Sequence, residues 1–223
     1  MDVKERFKRL FKIRFAVMYP FGILAAIFAS SDDRSIAAGI GFIIVGLIIR
    51  TWSNGYAIKM SKLTTSGPYA LMRHPLYLGT ILIGAGFVIM LKIHYLGISF
   101  LAVMSVIYYR QIKIEDGMLM AEFKDAFMDY KRHVPALIPA LRPYRKGEKW
   151  PFSIKRLIKS QEYKLFIWVI VVVIAFHLKD EFMSEHEGIN GHILLLLAGA
   201  FLLGLADGLG ELIKWRRRVS RQG

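Results

Sequence analysis

The chain contains no cysteine and relatively few acidic residues. Without a thiol among its 223 residues, disulfide bonds, thiolate catalysis and cysteine-ligated metal sites are excluded. The histidines show no metal-ligand spacing either, so we predict no metal site. Only 17 Asp and Glu residues accompany 31 Lys and Arg residues, which gives a net charge of +14. Nucleic-acid-binding proteins are also basic, but their apolar residues do not form long uninterrupted runs as they do here. We therefore expect no nucleic-acid partner.

Hydrophobic residues make up 55% of the chain and form six runs: 15–30, 35–52, 76–91, 95–109, 165–178 and 192–213. Each run is near the length that crosses a bilayer core of about 30 Å. The first run lacks a small-residue cleavage site, so we expect it to be retained as a span. The pattern predicts an all-α fold, a polytopic membrane bundle of about six transmembrane helices.

The basic residues predict the orientation of this bundle. With the N-terminus in the cytoplasm, all of the 31 basic residues except Arg34, Lys92 and Lys179 lie on the inner side. Loops rich in Lys and Arg stay on the cytoplasmic side of a membrane. The count therefore predicts cytoplasmic N- and C-termini in a bacterial or archaeal inner membrane.

Four regions follow from these runs: an N-terminal transmembrane hairpin (1–52), a core that carries the polar motifs (53–143), an amphipathic interfacial linker (144–163) and a C-terminal transmembrane hairpin (164–223). We expect the fourth helix to continue into the cytoplasm to about Tyr130, because apolar residues recur there at helical spacing. Prolines at 135 and 139 then end it. The linker is expected to lie along the anionic inner leaflet. Gly204 and Gly208 have a spacing that permits either a homodimer contact or ordinary helix packing.

The first polar motif covers residues 65–79. Gly67 and Pro68 predict a turn, and Pro75 suits the first turn of the third helix. Arg73 and His74 would then stand beside a helix N-terminus, where free N–H groups suit a carboxylate or another anionic ligand. Alternatively, both side chains are interfacial anchors, with the neighbouring tyrosines forming part of an aromatic belt. Anchoring requires neither the glycines nor the prolines, so we favour a binding site.

The second polar motif covers residues 110–139. Arg110 and Glu115 lie five residues apart on one helix, at the expected inner mouth of the bundle. Ionisable side chains at that depth are costly and are commonly functional. The alternative is an ion pair that is merely tolerated at the interface, and the residues alone leave both interpretations open.

Taken together, the two motifs resemble the superfamily of isoprenylcysteine carboxyl methyltransferases and phospholipid N-methyltransferases. The resemblance covers about residues 50–143 and rests on two strings: Gly67-Pro68-Tyr69…Arg73-His74-Pro75-x-Tyr77-x-Gly79, and Glu115-Asp116…Tyr130…Val134-Pro135…Pro139. It implies S-adenosylmethionine as cofactor and methylation of a carboxyl or amine group on a lipid-like or prenylated substrate, at an active site facing the cytoplasm. It assigns catalysis to Arg110 and Glu115. The implied cofactor-binding residues are Gly67, Tyr69, Arg73, His74, Pro75, Tyr77, Leu78, Asp116, Tyr130 and His133.

Four positions depart from the family pattern. Asp116, Lys124 and Phe127 replace a glutamate, a glycine and a tyrosine, and His133 replaces an arginine. These departures keep open a non-catalytic lipid-binding membrane protein that retains the fold. A membrane reductase that uses NADPH is a further alternative, because certain sterol reductases share a related cofactor region. In each case the expected partners are membrane lipids and a lipid or prenylated molecule.

Overall fold

A computed structural model describes residues 27–58 and 62–185 of the chain, together with scattered positions between 13 and 25. The regular structure of these described residues is helical throughout, with no strand among them. The predicted all-α class is therefore confirmed for this part of the chain. The predicted sixth span (192–213), both termini and the Gly204/Gly208 pair lie outside the described residues, and the first span is described only in part.

Between residues 33 and 185 of the described chain, five α-helices follow one another: α1 (Asp33–Tyr56), α2 (Pro75–Met90), α3 (His94–His133), α4 (Ile154–Ser160) and α5 (Glu162–Glu185), with a short 3₁₀-helix (Gly67–Ala70) before α2. By length and composition, α1 and α3 can each cross a membrane, whereas α2 and the segment Lys164–Phe176 of α5 are apolar but shorter. The chain separates into two compact units between Phe166 and Ile167, and the site described below belongs to the first.

Two pairs of glycines hold α1 and α2 together as a close antiparallel pair. A Cβ built on Gly39 would lie 2.5 Å from the carbonyl oxygen of Gly86, and one built on Gly86 would lie 2.6 Å from that of Gly39. Gly46 and Gly79 repeat this arrangement seven residues further along each helix. A Cβ built on Gly46 would lie 2.6 Å from the carbonyl oxygen of Gly79, and one built on Gly79 would lie 2.8 Å from that of Gly46. Small residues let apolar helices approach until their backbones touch. The glycines thereby fix the register of α2 against α1, and with it the position of the polar residues that precede α2.

Helix α3 is long but not continuous in its backbone geometry. Lys124 has φ 43° and ψ −117°, which kinks the helix between its apolar first part and its last turns. The helix ends at His133, where Val134 adopts extended geometry before Pro135. The prediction that the fourth helix runs beyond the apolar segment and stops at this proline is confirmed.

The linker and the end of α5 complete the described part of the chain. Within the expected amphipathic linker (144–163), Ile154–Ser160 and the start of α5 are helical. The residues before Ile154 pack on the end of α1: Trp150 donates its indole N–H to the Tyr56 carbonyl (3.0 Å), and the Ser153 amide donates to the Gly55 carbonyl (3.0 Å). Hydrogen bonds to the end of α1, rather than the apolar periodicity of this segment, thus determine the conformation of residues 150–153. In addition, α5 continues to Glu185, beyond the apolar run 165–178. No glycine or proline interrupts the helix before Gly188, so the fall in hydropathy does not end it.

Candidate active site

Asp116 is the centre of a buried polar cluster at the C-terminal side of the apolar part of α3. Its carboxylate, 9% exposed, lies 3.0 Å from Arg73 Nη2, 3.0 Å from His74 Nε2 and 3.1 Å from Lys131 Nζ. A carboxylate this buried is stable only when it is paired and hydrogen-bonded. The cluster joins residues from both polar motifs.

Glu115, the neighbour of Asp116, is bound from the other side. Its Oε2 lies 3.2 Å from His74 Nδ1, and Tyr77 donates its hydroxyl hydrogen to Oε1. His74 therefore bridges the two carboxylates with its two ring nitrogens. The Glu115 side chain keeps 26% of its surface exposed, so its carboxylate is the accessible one of the pair.

The imidazole of His74 is 5% exposed and lies between two acids. Burial by itself would lower the pKa of His74, but the hydrogen bonds with Asp116 and Glu115, together with their charges, outweigh it and raise the pKa above the ordinary 6.5. A ring that meets a carboxylate at each nitrogen donates at both, which only the imidazolium form can do. The charge on His74 thus balances one of the two acids.

The turn before α2 explains how Arg73 and His74 reach this position. Gly67 has φ +60°, and a Cβ there would lie 2.5 Å from the Tyr56 ring, so no other residue fits without strain. The 3₁₀-helix that follows leads into α2, which begins at Pro75, where the missing N–H has no helical partner to lose.

The backbone N–H groups of Arg73 and His74 join the turn before α2 to the segment after α3. They donate to the carbonyl oxygens of Pro135 and Ala136, each at 2.9 Å. The extended segment after α3 supplies these acceptors because Pro135 prevents it from continuing the helix. The two motifs are thereby held together by main-chain hydrogen bonds.

The side chain of Arg73 reinforces the same junction. Its Nη1 donates to the carbonyl oxygens of Val134 (2.8 Å) and Lys131 (3.2 Å), at the C-terminal end of α3, where the helix dipole favours a cation. The buried Nε of Arg73 has no hydrogen-bond partner among the described residues. One donor of this guanidinium is therefore left for a ligand.

Tyr130 connects the last turns of α3 to the 3₁₀-helix. It is 2% exposed, packs with Phe127 and Val134, and donates its hydroxyl hydrogen to the Tyr69 carbonyl at 2.6 Å. Burial, and then the negative charge of Glu115, raise the pKa of Tyr69, so its phenol is neutral and able to donate. Tyr130 is thus tied to the backbone of Tyr69, another of the predicted site residues.

Other predicted site residues lie apart from the cluster. Arg110 is exposed on α3, and a separation of five residues turns its side chain roughly 140° away from Glu115. His133 is also exposed and bonds to the Asp129 carbonyl (2.8 Å). Leu78 is half-buried on α2. The structure does not bring Arg110 and Glu115 together, so the ion pair weighed as an alternative in the sequence is absent.

Two groups were missed by the sequence reasoning. Lys131 reaches Asp116 only because of the kink at Lys124, which no periodicity indicates. The second group is an ion pair in which Arg50 Nε and Nη2 donate to the two oxygens of Glu162, at 2.5 and 3.2 Å. The one sequence signal for it is an acidic residue at the start of an apolar helix.

The chain is similar in sequence to known proteins over the helices that carry this cluster. A family model described as phospholipid methyltransferase matches residues 35–126, from α1 to just beyond the kink in α3. The cobalt-zinc-cadmium resistance protein CzcN of Cupriavidus metallidurans is 33% identical over 125 residues, 54% of this chain and 56% of that protein. The nickel-cobalt-cadmium resistance protein NccN of Alcaligenes xylosoxydans xylosoxydans is 30% identical over 160 residues, 66% of this chain and 75% of that protein. No solved structure matches the chain.

Proposed function

The chain belongs to the phospholipid methyltransferase family, and we propose that it is an integral membrane methyltransferase that uses S-adenosylmethionine to methylate a carboxyl or amine group of a lipid-like or prenylated substrate. The observation that carries the proposal is the pair Glu115–Asp116, bridged by His74 and fixed to the turn before α2. One of these carboxylates is neutralised by buried cations, and the other remains accessible.

The charges of the cluster suit such a cofactor. Arg73, Lys131 and the imidazolium of His74 supply three positive charges against the two acids, which leaves a surplus for the carboxylate of the cofactor's methionyl group. The unpartnered Nε of Arg73 is one donor for it. When bound, the cofactor supplies a methyl group activated by a positively charged sulfur. We propose that the implied pocket residues, with Tyr69 and Tyr130 as its aromatic wall, hold it.

Glu115 is the proposed catalytic residue. An amine acceptor has to lose a proton before or during methyl transfer, and a carboxylate within reach of the nitrogen can take it. Tyr77 and His74 hold Glu115 in one orientation, so the base is placed before the substrate arrives. Arg110 faces outward, where it is suited to hold an acidic headgroup at the membrane surface rather than to act through Glu115.

We also propose that the apolar helices belong to a six-helix bundle in an inner membrane, with both termini and the active site on the cytoplasmic side. The distribution of basic residues supports this orientation. The cofactor is made in the cytosol, and both motifs lie on the side that the basic residues assign to it. The names of the two relatives speak of metal resistance; for this chain we propose only that a membrane lipid or lipid-like molecule is the acceptor.

Binding and turnover of the purified full-length chain test the proposal. We expect labelled S-adenosylmethionine to bind and labelled NADPH not to bind. We also expect lipid extracts incubated with the protein and S-adenosylmethionine to gain products that are 14 Da heavier than their precursors. Glu115→Ala should lower the turnover rate at least 100-fold, the range that one general base contributes. Glu122→Ala, an exposed acid on the same helix, is the matched control and should leave the rate unchanged. Binding of NADPH alone would favour the reductase, and binding of lipid with neither cofactor would favour the non-catalytic protein.

A further inference from the structure

Arg50 and Glu162 form a buried ion pair that the proposed chemistry does not use. Arg50 Nε and Nη2 donate to the two carboxylate oxygens of Glu162, and the two side chains are 19% and 8% exposed. The Asn54 side-chain amide donates to the same carboxylate at 3.0 Å. A buried ion pair adds little stability compared with well-packed apolar residues of similar volume, because both ions lose their hydration. Stability alone therefore does not account for this pair.

The arginine of the pair also contacts the first turns of α2. Its Nη1 donates to the Thr80 hydroxyl (2.5 Å) and to the Leu76 carbonyl (3.3 Å). Gly79 leaves room for the arginine stem, because a Cβ there would lie 2.6 Å from Arg50 Cγ. Leu76 precedes Tyr77, whose hydroxyl donates to the proposed catalytic carboxylate. A continuous series of contacts thus joins the ion pair to the proposed active site.

The electrostatics of Tyr69 place the pair close to this site as well. After burial, the charge of Glu115 raises the pKa of Tyr69, the charge of Arg50 lowers it and the charge of Glu162 raises it. A charge perturbs a buried phenol in this way only from nearby. The ion pair and the proposed catalytic residue therefore lie near the same side chain of the 3₁₀-helix.

The two members of the pair come from different parts of the chain. Arg50 lies within residues 35–126, which match the family model, whereas Glu162 lies outside them, in the first turn of α5. We propose that Glu162 is a positioning residue for methyl transfer, which acts through Arg50 on the first turns of α2. With Arg50 held in place, Tyr77 keeps Glu115 in the orientation that the reaction requires. This inference rests on the proposed methyltransferase function.

The test removes both charges at once. In Arg50→Met/Glu162→Leu no unpaired charge stays buried, so the fold should be retained while the contact with α2 is lost. Lys62→Met/Glu148→Gln removes an exposed ion pair (2.7 Å) in the same compact unit and is the matched control. Each full-length protein is reconstituted in nanodiscs made from a total lipid extract. The measured quantities are the rate of transfer of labelled methyl groups from saturating S-adenosylmethionine to lipid, the Kd for that cofactor and the Tm.

We expect Arg50→Met/Glu162→Leu to lower the transfer rate at least roughly tenfold, since a misplaced catalytic group can cost about 100-fold. The Kd and the Tm should stay close to the wild-type values, and the control should keep the wild-type rate. In a Tyr77→Phe background the same double change should have almost no further effect, because the contact with Glu115 is already lost. A wild-type rate in the double variant, or an equal loss of rate in both backgrounds, would overturn the inference.

Thr80→Val makes the test independent of whether that double variant folds. It leaves the ion pair intact and removes the hydroxyl to which Arg50 Nη1 donates. We expect the transfer rate to fall about fivefold, the effect of one hydrogen bond, at an unchanged Tm. A wild-type rate here would also contradict the positioning role. A wild-type chain that binds no S-adenosylmethionine would instead refute the proposed function, and this inference with it.

Discussion

A single histidine accounts for much of the organisation of the site. His74 contacts both carboxylates and, through its backbone N–H, the segment after α3. Removing the ring would leave Glu115 and Asp116 adjacent with less positive charge between them, a repulsive arrangement. The residue that the resemblance implies as a cofactor ligand is thus also the contact that offsets the repulsion between two neighbouring acids.

The charge of His74 makes stability depend on pH. Its folded-state pKa lies above 6.5, so the protonated ring stabilises the fold fully below about pH 6.5, and this contribution is lost as the pH rises through the folded-state pKa. We expect the Tm of wild-type protein to exceed that of His74→Gln at pH 6, and the difference to shrink steadily towards pH 9. Thermal unfolding in detergent at intervals of half a pH unit measures it. A difference that stayed constant or grew with pH would show that the ring is neutral in the folded protein.

Lys124 occupies a backbone conformation that suits glycine. Its φ of 43° with ψ −117° belongs to a region that side chains avoid, and strain of this kind costs about 1–3 kcal/mol. The family that the chain resembles has glycine at this position. We therefore expect Lys124→Gly to raise the free energy of unfolding by roughly 1 kcal/mol, measured by denaturant titration.

Glu122→Gly provides the comparison for that experiment. Glu122 lies two residues away on the exposed side of α3, in helical geometry, where glycine should lower the free energy of unfolding by about 1 kcal/mol. Opposite signs at two neighbouring positions would establish the strain at Lys124, and destabilisation at both would disprove it.

At the residue level, the sequence predicts which residues form the site better than it predicts which of them contact one another. Arg73, His74, Glu115 and Asp116 were predicted as site residues and do lie together. Arg110 was predicted beside Glu115 and is not there, because five residues on a helix place two side chains on different faces. The contact of Lys131 depends on a backbone angle at Lys124 that local sequence does not specify.

Among the elements, α1 and α2 provide the frame of the site. Their glycine pairs determine how far α2 can slide along α1, and the first turn of α2 carries Tyr77. Arg50 on α1 adds a polar tie: its Nη1 donates to the Thr80 hydroxyl on α2 and its other nitrogens bind Glu162 at the start of α5. One arginine thus joins three helices close to the polar motifs.

Replacing a glycine in this helix pair should be costly. In Gly46→Ala the new methyl group would lie 2.6 Å from the Gly79 carbonyl oxygen, a backbone atom that cannot move without separating the helices. We expect Gly46→Ala to lower the free energy of unfolding by about 1–3 kcal/mol, the usual cost of overpacking.

Gly41, on the same helix, serves as the matched position because a Cβ there meets nothing within 4 Å. Gly41→Ala should instead stabilise by about 0.5–1 kcal/mol, since alanine is the better helix former. Equal effects at the two positions would mean that the close approach of α1 and α2 does not hold in the folded protein.

The extents of the helices were largely predictable. Runs 35–52, 76–91 and 95–109 fall on α1, α2 and the first part of α3, because long apolar segments favour helices that cross a membrane. The end of α3 followed from Pro135. Composition could not predict the close contact of α1 with α2, because that contact depends on glycines spaced seven residues apart in two separate segments. Nor could it predict the packing of residues 150–153 on α1.

For the whole molecule, the absence of cysteine makes the proposed orientation directly testable, since every introduced thiol is unique. Arg34, exposed near the start of α1, is predicted to face outward, and Arg145, exposed after α3, to face the cytoplasm. We expect a membrane-impermeant maleimide to label Arg34→Cys in intact spheroplasts and to label Arg145→Cys only after permeabilisation. The cysteine-free parent gives the background. The reverse pattern would place the Glu115–Asp116 cluster on the side of the membrane that lacks S-adenosylmethionine, and the proposed activity would then have no source of methyl groups.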